Sequence, residues 1–212
     1  EPVPYSWSIG PFNCIYKEAS PDIFKLYNTD VFSFSLFMAE KTKKEYEVML
    51  DTSKSKESRR KSQTLAYEWF NKYCYYQIKQ FINILKQPNW GKFGIIHYID
   101  VDLMQFPAFD GPDKISNISI SDYIFNSMIK NKSRYSPMYY TCPPQPNVKN
   151  CSSNYIGTIV RFAPFVMPYF NTVLIRDAHS TIPNKRNSYD YDWYNTWKTK
   201  TNKRFWIYNM VN

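Results

Sequence analysis

Hydrophobic and polar positions alternate in Val31-Phe32-Ser33-Phe34-Ser35-Leu36-Phe37, a period of two that predicts a strand. Phe93-Gly94-Ile95-Ile96-His97-Tyr98-Ile99 and the run from Thr172 to Arg176 are apolar with little alternation, as in strands buried on both faces. Arg204-Phe205-Trp206-Ile207-Tyr208 predicts a last strand, and Tyr5 to Ile15, broken by Gly10 and Pro11, a first strand running into a turn. Between these the period changes. From Ser58 to Lys86 one helical stripe carries Leu65, Trp69, Tyr73 and Tyr76, and an adjoining one carries Phe70, Cys74, Ile78, Phe81, Ile82 and Leu85, which predicts one long amphipathic helix. Pro88 ends it, and Asn89-Trp90-Gly91 makes the turn. Ser121 to Lys130 fits a short helix, residues 131–154 read as a long Ser-, Pro- and Asn-rich loop, and Gly157 to Phe170 reads as a helix broken at Pro164 and Pro168. Helices alternating with apolar strands predict an α/β fold, a mostly parallel central sheet flanked by helices, in a single domain over residues 1–212.

Composition narrows the class. The chain is 43% hydrophobic and 19% aromatic, which excludes a disordered chain. Its 27 Lys and Arg against 18 Asp and Glu give a net charge of +9, favouring anionic partners. The basic residues cluster at Lys41, Lys43 and Lys44, and again at Lys54, Lys56, Arg59, Arg60 and Lys61. Asp51 to Lys61 reads as a solvated loop and a helix start, or alternatively as a nucleic-acid stripe. No DNA- or RNA-binding motif accompanies it. None of the four cysteines has C-x-x-C spacing. Cys74 reads as a buried thiol, and Cys142 and Cys151, around Pro143-Pro144-Gln145-Pro146, can be bridged in an oxidising compartment. Asn117, Asn131 and Asn150 begin N-x-S/T triplets that matter only in a secreted chain. No apolar run approaches the ~20 residues of a membrane span, and no signal peptide is visible. The location stays open, and a removed N-terminal signal would place the chain in a lumen.

Candidate chemistry sits at two strand ends. Asp100-Val101-Asp102 follows one predicted strand and Asp177-Ala178-His179 another. Residues i and i+2 of extended chain point the same way, so each pair can face one ion. Two carboxylates suit Mg²⁺ or Mn²⁺, and a carboxylate with an imidazole shifts preference toward Mn²⁺ or a softer metal. The bland alternative is an acidic residue capping a strand end or starting a turn.

The block Gly157-Thr158-Ile159-Val160-Arg161-Phe162-Ala163-Pro164, followed by Val173-Leu174-Ile175-Arg176-Asp177-Ala178-His179-Ser180, resembles nucleotide-sugar glycosyltransferase-like proteins of bacteria and large DNA viruses. Their pattern is Gly-x-x-x-Arg-Phe-x-Pro, then an apolar strand and Arg-Asp-x-Asp-Ser, a Trp-containing helix and a Lys-aromatic strand. Here Trp193 and Trp197 stand for the helix and Lys203 to Ile207 for the strand, so the resemblance covers residues 157–208. His179 stands where the second Asp is expected. The polypeptide GalNAc-transferases, another glycosyltransferase family, also carry Asp-x-His, with the His as metal ligand.

The resemblance implies a GT-A-type domain and a metal-dependent glycosyltransferase. Its donor would be a nucleotide sugar and its acceptor a glycan or glycoprotein. It further implies Asp177 and His179 as ligands of Mn²⁺ or Mg²⁺, and Arg161 and Arg176 as candidates for the donor phosphates or for structural ion pairs; Asp100 and Asp102, outside the resembling segment, are donor-site candidates from their strand-end pattern. Asp190 or Asp192, beside Tyr189, Tyr191 and Trp193, becomes the candidate base that deprotonates an acceptor hydroxyl, or simply the cap of the next helix. Two other readings stand beside it: a non-catalytic binding or virion-structural protein on a degenerate glycosyltransferase scaffold, and a basic nucleic-acid-binding module.

Overall fold

The computed structural model describes residues 6–9, 12–18, 25–141, 157–166, 169–176, 191–192 and 194–199. Their sheet has six strands: β1 (Ser6–Ile9), β2 (Phe12–Glu18), β3 (Asp30–Leu36), β4 (Gly94–Asp100), β7 (Tyr135–Thr141) and β8 (Thr172–Ile175), in the order β1-β2-β7-β4-β3-β8. The four strands β7, β4, β3 and β8 run parallel, and the β1–β2 hairpin joins antiparallel to the outer edge of β7. The α/β reading with a mostly parallel sheet and flanking helices therefore holds. A separate hairpin of β5 (Pro107–Gly111) and β6 (Lys114–Ser119) went unpredicted, as did the first helix, α1 (Glu40–Leu50).

The parallel strands impose a two-sided core. The chain steps from β3 to β4 to β7 in one direction along the sheet, then returns past β3 to β8. Parallel crossovers are right-handed in nearly all proteins, so the reversal puts the last crossover on the opposite face. The packing agrees. Phe32, Phe34, Leu36, Ile95, Ile99 and Tyr135 meet α2 (Lys56–Phe70), α3 (Tyr76–Lys86) and α4 (Ile120–Met128) in one cluster. Val31, Ile96, Tyr98, Met138 and Tyr140 meet Leu26, Val160 and Ala163 in a second. Strand β3 is thus buried on both faces, and Ser33 and Ser35, read as polar alternation, are 0% and 5% exposed.

The long helix is present, with a π turn at Asn71–Tyr75 between α2 and α3. Ser55 caps its start, accepting from the Ser58 N–H at 3.2 Å. Its second predicted stripe is the core one: Phe70, Cys74, Ile78, Phe81 and Leu85 are buried, whereas Leu65 and Tyr76 of the first stripe are exposed. Cys74 is a free, buried thiol as expected; the Cys142–Cys151 pair and the predicted strand at 204–208 lie outside the described residues.

The predicted loop at 131–154 contains β7. Pro137 conceals it, because proline is rare inside central strands. The Ile95 N–H donates to the Arg134 carbonyl at 2.7 Å, so even-numbered residues of β7 face β4 and Pro137 turns toward β2. Among the described residues β2 pairs only with Met138 to Thr141, and the missing N–H of Pro137 costs none of these pairs a ladder bond.

Arg134, just before β7, closes the layer. Its Nε donates to the Phe93 carbonyl at 2.8 Å, and its terminal nitrogens donate to those of Leu85 (2.9 Å) and Trp90 (2.5 Å). One guanidinium thereby satisfies carbonyls at the end of α3 and in the turn that enters β4. Replacing it with Ala should cost about 3 kcal/mol. Arg134→Lys should recover less than half of that, since one ammonium cannot span three separated carbonyls. Urea denaturation of both variants measures this, and a Lys variant as stable as the parent would refute the fork.

Candidate functional site

In an open parallel sheet, ligands bind beyond the C-terminal strand ends where the strand order reverses. Here that point lies between β3 and β8, with β4 on the other side of β3. Ser33 organises it. Its Oγ donates to the Arg161 carbonyl at 2.6 Å, and its own carbonyl accepts from the Arg176 N–H at 3.3 Å. One small β3 residue therefore brings the backbones of both candidate arginines together. A larger side chain would push the 3-10 turn Val160–Val166 off the sheet. Gly157 has a matching reason: a Cβ there would lie 2.2 Å from the Phe37 ring, so only glycine lets this segment approach the chain leaving β3. Both arginines are half-buried, and burial lowers the Arg161 pKa from its ordinary value.

Across β3, the expected geometry of Asp100 and Asp102 is corrected. The strand ends at Asp100, and Val101–Gln105 is a 3-10 turn, so the pair is not two steps of extended chain. The Asp100 Oδ1 accepts from the Asp102 N–H at 3.0 Å, capping the turn. The Lys43 ammonium, on α1, donates to Asp102 Oδ2 and lies 3.6 Å from Glu40. Burial alone would lower the Lys43 pKa, but the Asp102 bond and the charges of Asp102, Asp100 and Glu40 raise it. Burial raises the Asp100 pKa; the Asp102 N–H bond and Lys43 offset this in part, while the Asp102 and Glu40 charges add to it. Tyr140, the register partner of Asp100 on β7, is 2% exposed, and its hydroxyl has no hydrogen-bond partner among the described residues. Burial, then the charges of Asp100 and Asp102, push it well above the usual tyrosine range.

Sequence reasoning missed Lys43 as a partner, because it read Lys41, Lys43 and Lys44 only as a charge cluster. It missed Tyr140 because the Tyr139-Tyr140 doublet fell in a predicted loop. The first turn of α1 also starts at this edge, and its N-cap, Ala39, offers it no side-chain acceptor.

The remaining candidates lie elsewhere. Asp177, His179 and Asp190 fall outside the described residues. Asp192 is exposed, on a helical segment that docks at the strands' N-terminal ends. Its neighbour Tyr194 donates to Asp30 at 2.8 Å, and Lys198 donates to Asp30 at 2.8 Å. The ring of Tyr191 meets Trp90 at 5.1 Å. Asp192 is therefore not brought to the edge that holds Asp100 and Arg176. Burial opposes charge on Asp30, but bonds from Lys198, Tyr194 and Thr172 outweigh it and lower its pKa. His97 is a core histidine: it is fully buried, bonded through Nδ1 to the Tyr135 hydroxyl at 2.9 Å, and pushed by burial to a pKa of about 3.

Among the described residues no three His, Cys, Asp or Glu side chains gather into a metal-holding group. Asp100 and Asp102 by themselves therefore supply oxygen donors but no complete ligand set, and Lys43 already neutralises one of them. No family model matches the chain, and comparison with curated proteins and solved structures gives no match either.

The raised pKa of Asp100 has a stability consequence. Its folded carboxyl binds protons more tightly than the unfolded one, so its contribution is lost as pH rises through the folded pKa. Asp100→Asn keeps an oxygen for the cap and removes the buried charge. At pH ~7 the variant should be at least as stable as the parent, and the difference should vanish below about pH 3, where both unfolded and folded carboxyls are protonated. Denaturant midpoints across pH test this; a variant clearly less stable at neutral pH would mean the charge itself stabilises the fold.

Proposed function

We propose that the chain is a metal-dependent glycosyltransferase of GT-A type that moves a sugar from a nucleotide-diphosphate donor to a glycan or glycoprotein acceptor. The observation that carries this reading is the pairing of Arg161 and Arg176 through Ser33 at the reversal point of a parallel sheet. Two guanidinium groups there suit a diphosphate, which they can hold by charge-assisted hydrogen bonds. Uncapped amides at the start of α1 favour the same anion. Asp100, buried on the neighbouring strand, has the hard oxygens and the perturbed ionisation found at functional carboxylates. It would contact the donor rather than the sheet alone.

In sequence, Asp177 and His179 directly follow Arg176, and we assign them as the metal ligands. When bound, a Mn²⁺ or Mg²⁺ ion at that pair would screen charge developing on the leaving diphosphate. The role of acceptor base goes to Asp190. Asp192, whose segment docks at the far end of the strands, is better explained as an exposed helix residue.

Thermal unfolding with UDP, GDP and dTDP sugars, with and without Mn²⁺, tests the reading. At about 100-fold excess over Kd the correct donor should raise Tm by roughly 5–10 °C. The shift should need the metal and be lost in Asp177→Ala. No shift with any nucleotide sugar would rule the enzyme out.

A further inference from the structure

The outer surface of the helical layer has a composition that the proposed transfer reaction does not use. Helices α3 and α4 lie on the same face of the sheet, through Ile78, Phe81, Ile84 and Leu85 and through Ile120, Ile124 and Met128, and they touch each other. Their sides facing away from the sheet therefore form one continuous surface. From the π turn through α3 the exposed residues are Lys72, Tyr75, Tyr76, Lys79, Asn83 and Lys86. On α4 and the turn after it they include Phe125, Ile129, Lys130 and Lys132. Phe125 and Ile129 are both 48% exposed and Tyr76 is 49% exposed. Asp122 is the single acidic residue among the exposed positions in these two segments, and it is engaged by Ser119 at 2.8 Å.

Five lysines and four large apolar or aromatic side chains on one face, almost without acid, require a partner that is both anionic and apolar. We infer that this face docks the protein on an anionic lipid bilayer. Phe125 and Ile129, one turn apart, would enter the boundary between headgroups and acyl chains. Tyr75 and Tyr76 fit the interfacial level, where amphipathic rings settle. Lys79 already lies over the Tyr75 ring at 4.3 Å, its stem along the aromatic surface and its charge outward, the posture of a snorkelling lysine. The remaining lysines face the lipid phosphates and gain from the negative surface potential. A nucleic acid would use the lysines and the tyrosine rings but would leave exposed Ile129 without a role. No described helix is long and apolar enough to cross a membrane, so the contact lies on the surface and is reversible.

The full chain is tested by co-sedimentation with vesicles of phosphatidylcholine alone and of phosphatidylcholine and phosphatidylserine in equal parts. Binding should occur only to the anionic vesicles and weaken with added salt. The double variant Lys79→Glu/Lys130→Glu should lose about tenfold or more in partitioning. Phe125→Ser/Ile129→Ser, at exposed positions where folding is little affected, should lose a similar factor while keeping the parent Tm. Failure to bind anionic vesicles at low salt overturns the inference. So does binding unchanged in Phe125→Ser/Ile129→Ser, or a preference for single-stranded oligonucleotides that compete the protein off the vesicles. None of these readouts depends on nucleotide-sugar binding, so this inference and the enzymatic one fail separately.

Discussion

Strand β3 has a parallel neighbour on each edge and a packed layer on each face. Its register aligns Val31 with Gly94 on one side and with Val173 on the other. A strand enclosed in this way has few options for its side chains. One face must be large and apolar to fill the space under the helices, and Phe32, Phe34 and Leu36 do so. The other must be small enough for a backbone segment to lie flat against it, and Ser33 meets that need. The hydroxyl is then buried and requires an acceptor, which the Arg161 carbonyl provides. The same residue that solves a packing problem thus fixes where two cationic side chains leave the backbone, and it does so beside the point where the sheet reverses its strand order.

The charges around that edge are arranged at a cost to stability. A carboxylate that is 9% exposed, Asp100, is retained although burial disfavours its ionised form. Beside it Tyr140 keeps a hydroxyl where a phenylalanine would avoid an unpaired polar atom. By contrast, at the other end of β3 a hydroxyl and an ammonium converge on one carboxylate oxygen, Oδ2 of Asp30. Asp30, Tyr194 and Lys198 bond one another at 2.8 Å, and the Asp30 pKa falls rather than rises. Two acidic residues at opposite ends of neighbouring strands therefore have opposite characters. Asp30 takes a hydroxyl and an ammonium partner from the helical segment it anchors. Asp100 has only its own turn and the partial influence of Lys43, the pattern of a group kept for something other than folding.

What the sequence disclosed follows the same physics. Strand β4 was legible because burial on both faces leaves an unbroken apolar run, and the half-buried β8 because its Val173-Leu174-Ile175 run is also unbroken. The helical run from 56 to 86 was legible because no glycine or proline interrupts its apolar stripe. Strand β7 was not, since its serines and proline look like a loop until β2 is seen to end before Pro137. Helix α1 was hidden by its charge: six of its eleven residues are Lys or Glu, and only Tyr46 and Met49 are buried. The site was legible in part. Arg161 and Arg176, named from the chain, have backbones that meet at Ser33, whereas the 3-10 turn after Asp100 was not foreseen. Spacing along a chain does not reveal whether an acidic residue ends a strand in extended backbone or caps the turn that follows it.

The long helix shows how a local irregularity keeps a buried face in line. Its buried positions Ser62, Ala66, Phe70, Cys74 and Ile78 recur every fourth residue. In an ideal helix a four-residue step overshoots one turn by about 40°, and four such steps would carry the stripe far round the axis, away from the sheet. The π turn at Asn71–Tyr75 takes up an extra residue and absorbs that drift. It does so with no glycine or proline, which is why no break was visible in the residue types alone.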